Sequence, residues 1–256
     1  MGKRISGFRA RLTGRERLVG TFLKTPAHEM IEVLAPTGLD FLCLDAEHAA
    51  FDRGRLDACL ALARAMDFPA LVRVPAGTPA NILMALDAGA VGVVVPHVGS
   101  AETAAAVAKA AHFGEGGRGF AGSTRWAGFA TRGMGEVLDQ SDETVVIAQI
   151  EEPSGVEACE AIAGVDGIDA LFIGPADLSV AYGKRDLSSD ELDAAFRKVG
   201  EACAAKGRGF VTWVPNAAKA AECSAYGLTT FVVGSEHSWM AQGAREAVRQ
   251  IGEATG

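Results

Sequence analysis

The chain has 256 residues, 49% of them hydrophobic and 22% charged, which suits one globular unit with a sizeable core. Its formal net charge of -8 speaks against nucleic acid or an anionic membrane as partner, since both reward basic surfaces. No apolar run approaches the roughly 20 residues of a membrane span, and the start MGKRISGFRARLTGRERLVG lacks the apolar stretch of a secretory signal, so a cytoplasmic protein is expected.

The basic run at residues 3–17 reads as an N-terminal helical segment whose arginines pack or snorkel along the surface. Eight short β-rich runs then follow: GTFLK from 20, FLCLD from 41, ALVRV from 70, GVVVP from 92, VVIAQIE from 145, ALFIG from 170, GFVTWV from 209 and TTFVVG from 229. They are apolar on both alternations, as expected of parallel strands covered on both faces. Segments of helical spacing lie between them, such as RGRLDACLALARAM, ANILMALDAGA and SSDELDAAFRKVGEACAAKG. Gly38, Gly89, Gly207 and Gly227 stand just before strands, where a helix C-cap is expected. Eight β/α units in one chain without a linker predict a single (β/α)8 barrel over residues 1–256, the TIM-barrel class of α/β fold. The five cysteines are widely spaced with no CxxC pair, so they read as buried thiols.

A doubly wound open sheet is the competing architecture. GEGGRG at residues 114–119 matches GxGxxG, but it follows a helical segment instead of a strand. It is assigned to an irregular connection over about residues 112–144, a candidate lid or subunit contact.

Active sites of (β/α)8 barrels lie at the C-terminal ends of the strands. There the second run ends in Asp45, Glu47 and His48, the third carries Arg73, the fifth ends in Gln149, Glu151 and Glu152, and the sixth runs into GPADLS with Asp177. Glu151 and Asp177, at adjacent strand ends, form either an oxygen-only site for Mg²⁺ or Mn²⁺ or a pair of solvated acids. His48, directly after a strand and beside two acids, suits general acid–base work. Asp87 ends the third helix, which topology places near the bottom of the barrel, away from His48. His97 follows the fourth strand on the same side as the mouth.

DAEHA, the arginine of LVRVP, LDAGAVGVVVP, the QIE of AQIEEPSGVEA and FIGPADLS, in that order, resemble the signature segments of the HpcH/HpaI aldolase family. The likeness runs from about residue 18 to about 240, and QIE with GPADLS about 25 residues later, after an upstream EH, is specific. The resemblance implies a metal-dependent class II aldolase that joins a 2-oxo acid, pyruvate or hydroxypyruvate, to an aldehyde. It implies Glu151 and Asp177 as ligands of Mg²⁺, Mn²⁺ or Co²⁺, and Arg73 as the group on the keto oxygen. It also implies a catalytic dyad of His48 with Asp87. Gln149 and the backbone of Gly174, Pro175 and Ala176 match the segment that holds the 2-oxo acid. A homo-oligomer, commonly a hexamer, is implied as well. The chain departs from the family in its glycine-rich GEGGRG and in His97, which stands where an apolar residue is expected; both put the acceptor aldehyde in question.

Three rival readings remain. A Schiff-base aldolase would need a lysine in the mouth, and only Lys24 ends a strand. A lyase of CoA thioesters, as in the related citrate lyase branch, would need a basic patch for the CoA phosphates, and GEGGRG offers only Arg118. A catalytically silent, ligand-binding barrel would not be expected to retain Glu151, Asp177, Arg73 and His48 together.

Overall fold

A computed structural model describes residues 3–255. Eight parallel strands close into a barrel in chain order: β1 Leu18–Leu23, β2 Phe41–Asp45, β3 Ala70–Arg73, β4 Gly92–Val95, β5 Val145–Ile150, β6 Ala170–Ile173, β7 Gly209–Val214 and β8 Thr230–Ser235. β8 pairs back onto β1 with a register shift between Gly20 and Phe22. All eight strands coincide with the β-rich runs of the sequence.

The two-sided hydrophobicity of those runs has a direct structural cause. One alternation, including Leu42, Leu44, Val72, Val93 and Ile173, packs outward against the helices. The other, including Phe22, Cys43, Leu71, Val94, Ile147, Phe172 and Val211, fills the barrel interior. Neither face meets water, so neither alternation is polar.

The bottom of the barrel is closed by the N-terminal segment, helices Lys3–Ser6 and Phe8–Thr13. Phe8 and Leu12 join the interior cluster, and the Phe8 ring lies 5.5 Å from that of Phe41. Gly20 makes room there, because a Cβ at that position would lie 2.6 Å from the Phe41 ring. The arginines of this segment do more than snorkel: Arg9 pairs with buried Asp169 at 2.7 Å, and Arg4 donates to the Leu39 carbonyl at 2.6 Å. Gly38, Gly89, Gly207 and Gly227 all adopt positive φ (91°, 107°, 64° and 84°), the left-handed turn that lets each preceding helix stop and a strand begin.

The connection at residues 112–144 is not wholly irregular. It contains the helix Met134–Ser141 and a small core of Trp126, Ala127 and Val137, with Phe113 against it. The Gly-rich stretch supplies Arg118, whose guanidinium turns inward, 4.7 Å from the Phe113 ring centre and 5.0 Å from that of Trp126. Its Nη2 donates to Asp87 at 2.6 Å. Five cysteines are free and buried. Among the described residues no helix is long and apolar enough to cross a membrane.

Candidate active site

The strand ends converge on a cavity of about 310 Å³, and His48, Arg73, Gln149, Gly174, Pro175, Ala176 and Asp177 all line it. Seven of the nine site residues expected from sequence thus share one mouth. Glu151 sits directly behind this wall, 3% exposed, where its Oε2 accepts a hydrogen bond from Gln149 Nε2. Gly174 keeps that corner open: a Cβ there would lie 3.0 Å from Glu151 Cβ and 3.2 Å from its Oε2. Asp177, exposed at the cavity, stands in the first turn of the helix Pro175–Ala181.

Asp87 is the residue the structure does not bring in. It closes the helix Pro79–Asp87, which runs away from the mouth, and its carboxylate is held by Arg118 at 2.6 Å. Within one chain, His48 instead has Glu47 Oε2 3.6 Å from its Nε2.

The acids after β2 have separate duties. Asp45, fully buried, accepts from Arg73 Nε at 3.0 Å and Nη2 at 2.7 Å, a bidentate grip. It also accepts from Lys24 Nζ at 2.8 Å and from the His48 backbone N–H at 3.1 Å. Burial pushes its carboxyl upward, but Arg73, Lys24 and the His48 amide together outweigh this and hold it at about 2. Glu47 moves the other way: burial raises it, and the neighbouring charges of Glu151 and Asp45 oppose the help from Arg73 and His48. Phe22, 4.4 Å from the Arg73 guanidinium, completes the clamp. An arginine has five N–H donors. The Asp45 grip uses two of them, and the others remain for a ligand in the cavity.

Because the fold holds the Asp45 carboxyl below its ordinary value, its charged form stabilises the fold above about pH 4. That contribution is lost as pH falls towards about 2. Asp45→Asn should therefore show a shallower loss of stability over this window than the parent chain. Denaturant unfolding at several acid pH values measures the difference, and parallel curves would refute it.

Sequence reasoning passed over Phe22, Phe172 and Trp213, apolar walls of the cavity, and Ser235 and Ser238 on its β8 side. Phe22 and Phe172 were legible only as core. Their place at the top of inward-facing strands makes them wall as well. Glu47 and His97 form a second grouping with Glu151, in which one ligand atom from each lies within 4.8 Å of the others.

Fold and mouth together define a (β/α)8-barrel enzyme with a fixed arginine beside an acid cluster. A family profile, the HpcH/HpaI aldolase/citrate lyase family, matches residues 18–243. A 4-hydroxy-2-oxovalerate aldolase of Novosphingobium aromaticivorans is 37% identical over 207 residues, 78% of this chain and 76% of that protein. A hydroxypyruvate/pyruvate aldolase of Chromohalobacter salexigens is 33% identical over 94% of this chain and 95% of its own. The crystal structure of an HpcH/HpaI aldolase/citrate lyase family protein from Burkholderia cenocepacia superposes with a TM-score of 0.91 at 31% identity, covering 96% of this chain and 99% of that one. The chain belongs to the HpcH/HpaI aldolase/citrate lyase family and is, as such, a carbon–carbon lyase.

Proposed function

We propose that this lyase is a divalent-cation-dependent 2-oxo acid aldolase, acting reversibly between a pyruvate- or hydroxypyruvate-type donor and an aldehyde. The observation that carries the reading is Arg73, clamped by Asp45 and Phe22 so that its spare N–H groups meet the cavity beside Gln149, Asp177 and the buried Glu151.

The residues present fit a cation. Glu151 is almost fully buried, yet its ionic partner is the imidazole of His97, not a lysine or arginine. A buried carboxylate so placed suits a metal ligand, and with Asp177 it offers the oxygen donors that Mg²⁺, Mn²⁺ or Co²⁺ accept. A cation held there would polarise the keto group and acidify the adjacent C–H. Arg73 would donate to the oxygen on which enolate charge develops. Gln149 would keep Glu151 oriented through its amide, and Gly174, Pro175 and Ala176 would wall the donor. His48, at the cavity rim, would carry the proton of the aldol hydroxyl. Asp87 is out of its reach within one chain, so a His48–Asp87 dyad requires a second copy.

Metal-dependent exchange of pyruvate methyl protons into deuterated water tests the proposal. Exchange that chelator abolishes and Mn²⁺ restores is expected; no exchange with any divalent ion would refute it, since a silent binding barrel need not enolise its ligand. A panel of aldehydes with both donors would then identify the acceptor. The rival readings find less support. Lys24 Nζ is a donor to Asp45, which disfavours a Schiff base there, and beyond Lys24 and Arg73 the cavity lining offers no lysine or arginine that would make a basic patch for CoA phosphates.

We place the enzyme in the cytoplasm, in keeping with its five unpaired, buried thiols. We also expect a homo-oligomer, a hexamer by family likeness. The C-terminal helix Glu236–Thr255 buries only Glu236 and exposes Met240, Val248 and Ile251, more than half of each. Sedimentation at micromolar concentration should find no stable monomer. Asp87→Asn supplies the matching test of the dyad: lost cleavage in an intact oligomer supports it, and unchanged cleavage removes Asp87 from the mechanism. Asp87→Ala should also cost about 3 kcal/mol of stability by stranding the buried Arg118 charge, as thermal unfolding would show.

A further inference from the structure

His97 stands in the loop after β4 with φ 57°, a left-handed backbone uncommon for a residue other than glycine. Its Nδ1 lies 3.2 Å from Glu151 Oε1, and its Nε2 lies 3.9 Å from Glu47 Oε1. Glu151 Oε2 accepts from Gln149, and Oε1 accepts from the His97 backbone N–H at 2.7 Å, which leaves an Oε1 lone pair beside the imidazole. The Glu47 side chain is nine-tenths buried; its Oε2 lies 3.3 Å from Arg73 Nε, and its Oε1 is the oxygen on the His97 side.

We propose that His97 Nδ1 is a protein ligand of the divalent cation, sharing it with Glu151 Oε1, while Glu47 orients the ring from its Nε2 side. Two ligands on adjacent corners of an octahedral ion with bonds of about 2.1 Å lie about 3.0 Å apart, close to the separation seen. A ligating histidine usually donates its other ring N–H to a carboxylate, and Glu47 Oε1, 3.9 Å from Nε2, is the carboxylate on that side, one small side-chain shift from hydrogen-bond distance. The chemical consequence is selectivity. Carboxylate and water donors alone favour Mg²⁺ and Mn²⁺, and an imidazole adds affinity for Co²⁺, Ni²⁺ and Zn²⁺. The inference rests on the cation-dependent reading only in taking Glu151 as a ligand.

The competing account is that Nδ1 merely hydrogen-bonds the carboxylates of Glu151 and Glu152, each 3.2 Å away. Pulsed electron paramagnetic resonance on the Mn²⁺-loaded full chain separates the two. Coupling from a directly bound ¹⁴N is expected, and it should vanish in His97→Asn, a substitution that tolerates left-handed backbone. In the same variant Co²⁺ affinity should fall by about 10- to 100-fold while Mg²⁺ affinity changes much less. Circular dichroism and thermal unfolding check that the variant is folded, and Glu47→Gln, expected to weaken Co²⁺ binding in the same sense, gives a second reading. Mn²⁺ bound without nitrogen coupling, or coupling that survives in His97→Asn, overturns this inference and leaves the aldolase reading standing. Failure of the parent chain to bind any divalent ion overturns both.

Discussion

Arg73→Ala should slow aldol cleavage and pyruvate methyl exchange together, each by about 10²- to 10³-fold, the loss typical of removing one donor to a developing oxyanion. Both reactions pass through the same enolate, and the arginine is proposed to act on that charge alone. The structure adds a second consequence. Asp45 is fully buried beneath the guanidinium, so the alanine variant leaves that carboxylate with Lys24 as its one remaining ion-pair partner among the described residues. Part of the loss will then be a disturbed mouth. Arg73→Lys separates the two causes: it restores charge over Asp45 but not the bidentate fork, so stability should recover further than rate. His48→Ala provides the contrast, because a proton carrier for the acceptor hydroxyl should impair cleavage much more than exchange. Equal rates in parent and Arg73→Ala for both reactions would remove Arg73 from the mechanism.

Glu151→Gln should cost at least about 10³-fold in both reactions, because losing the cation removes several kcal/mol of charge stabilisation. The substitution preserves shape, and its amide still permits a hydrogen bond with Gln149, so the fold should persist. Asp177→Ala should act in the same direction with a different signature. Asp177 is exposed at the cavity, and added Mn²⁺ should recover part of its activity, whereas Glu151→Gln should stay inactive at any metal concentration. Calorimetric titration with Mn²⁺ alongside the rates distinguishes lost affinity from lost chemistry. Tight Mn²⁺ binding by Glu151→Gln would exclude Glu151 as a ligand.

The amino-acid sequence determined the architecture and most of the mouth by itself. Strand order, helix punctuation and barrel class follow from periodicity and glycine placement, which are local properties. The convergence of His48, Arg73, Gln149, Gly174–Ala176 and Asp177 also follows once the barrel is granted, because topology carries every strand end to one face. What the tertiary structure alone decided are the pairings between elements distant in the chain. DAEH reads as one acid cluster, yet Asp45 serves as the seat of Arg73 and Lys24, Glu47 lies between Arg73 and His97, and His48 alone reaches the rim. Likewise Arg118 reads only as the one basic residue of a glycine-rich loop, and packing against Phe113 and Trp126 turns it inward onto Asp87. Periodicity records which residues are buried, whereas the partner of a buried charge depends on which strand ends and loops meet, and only the folded chain brings those together.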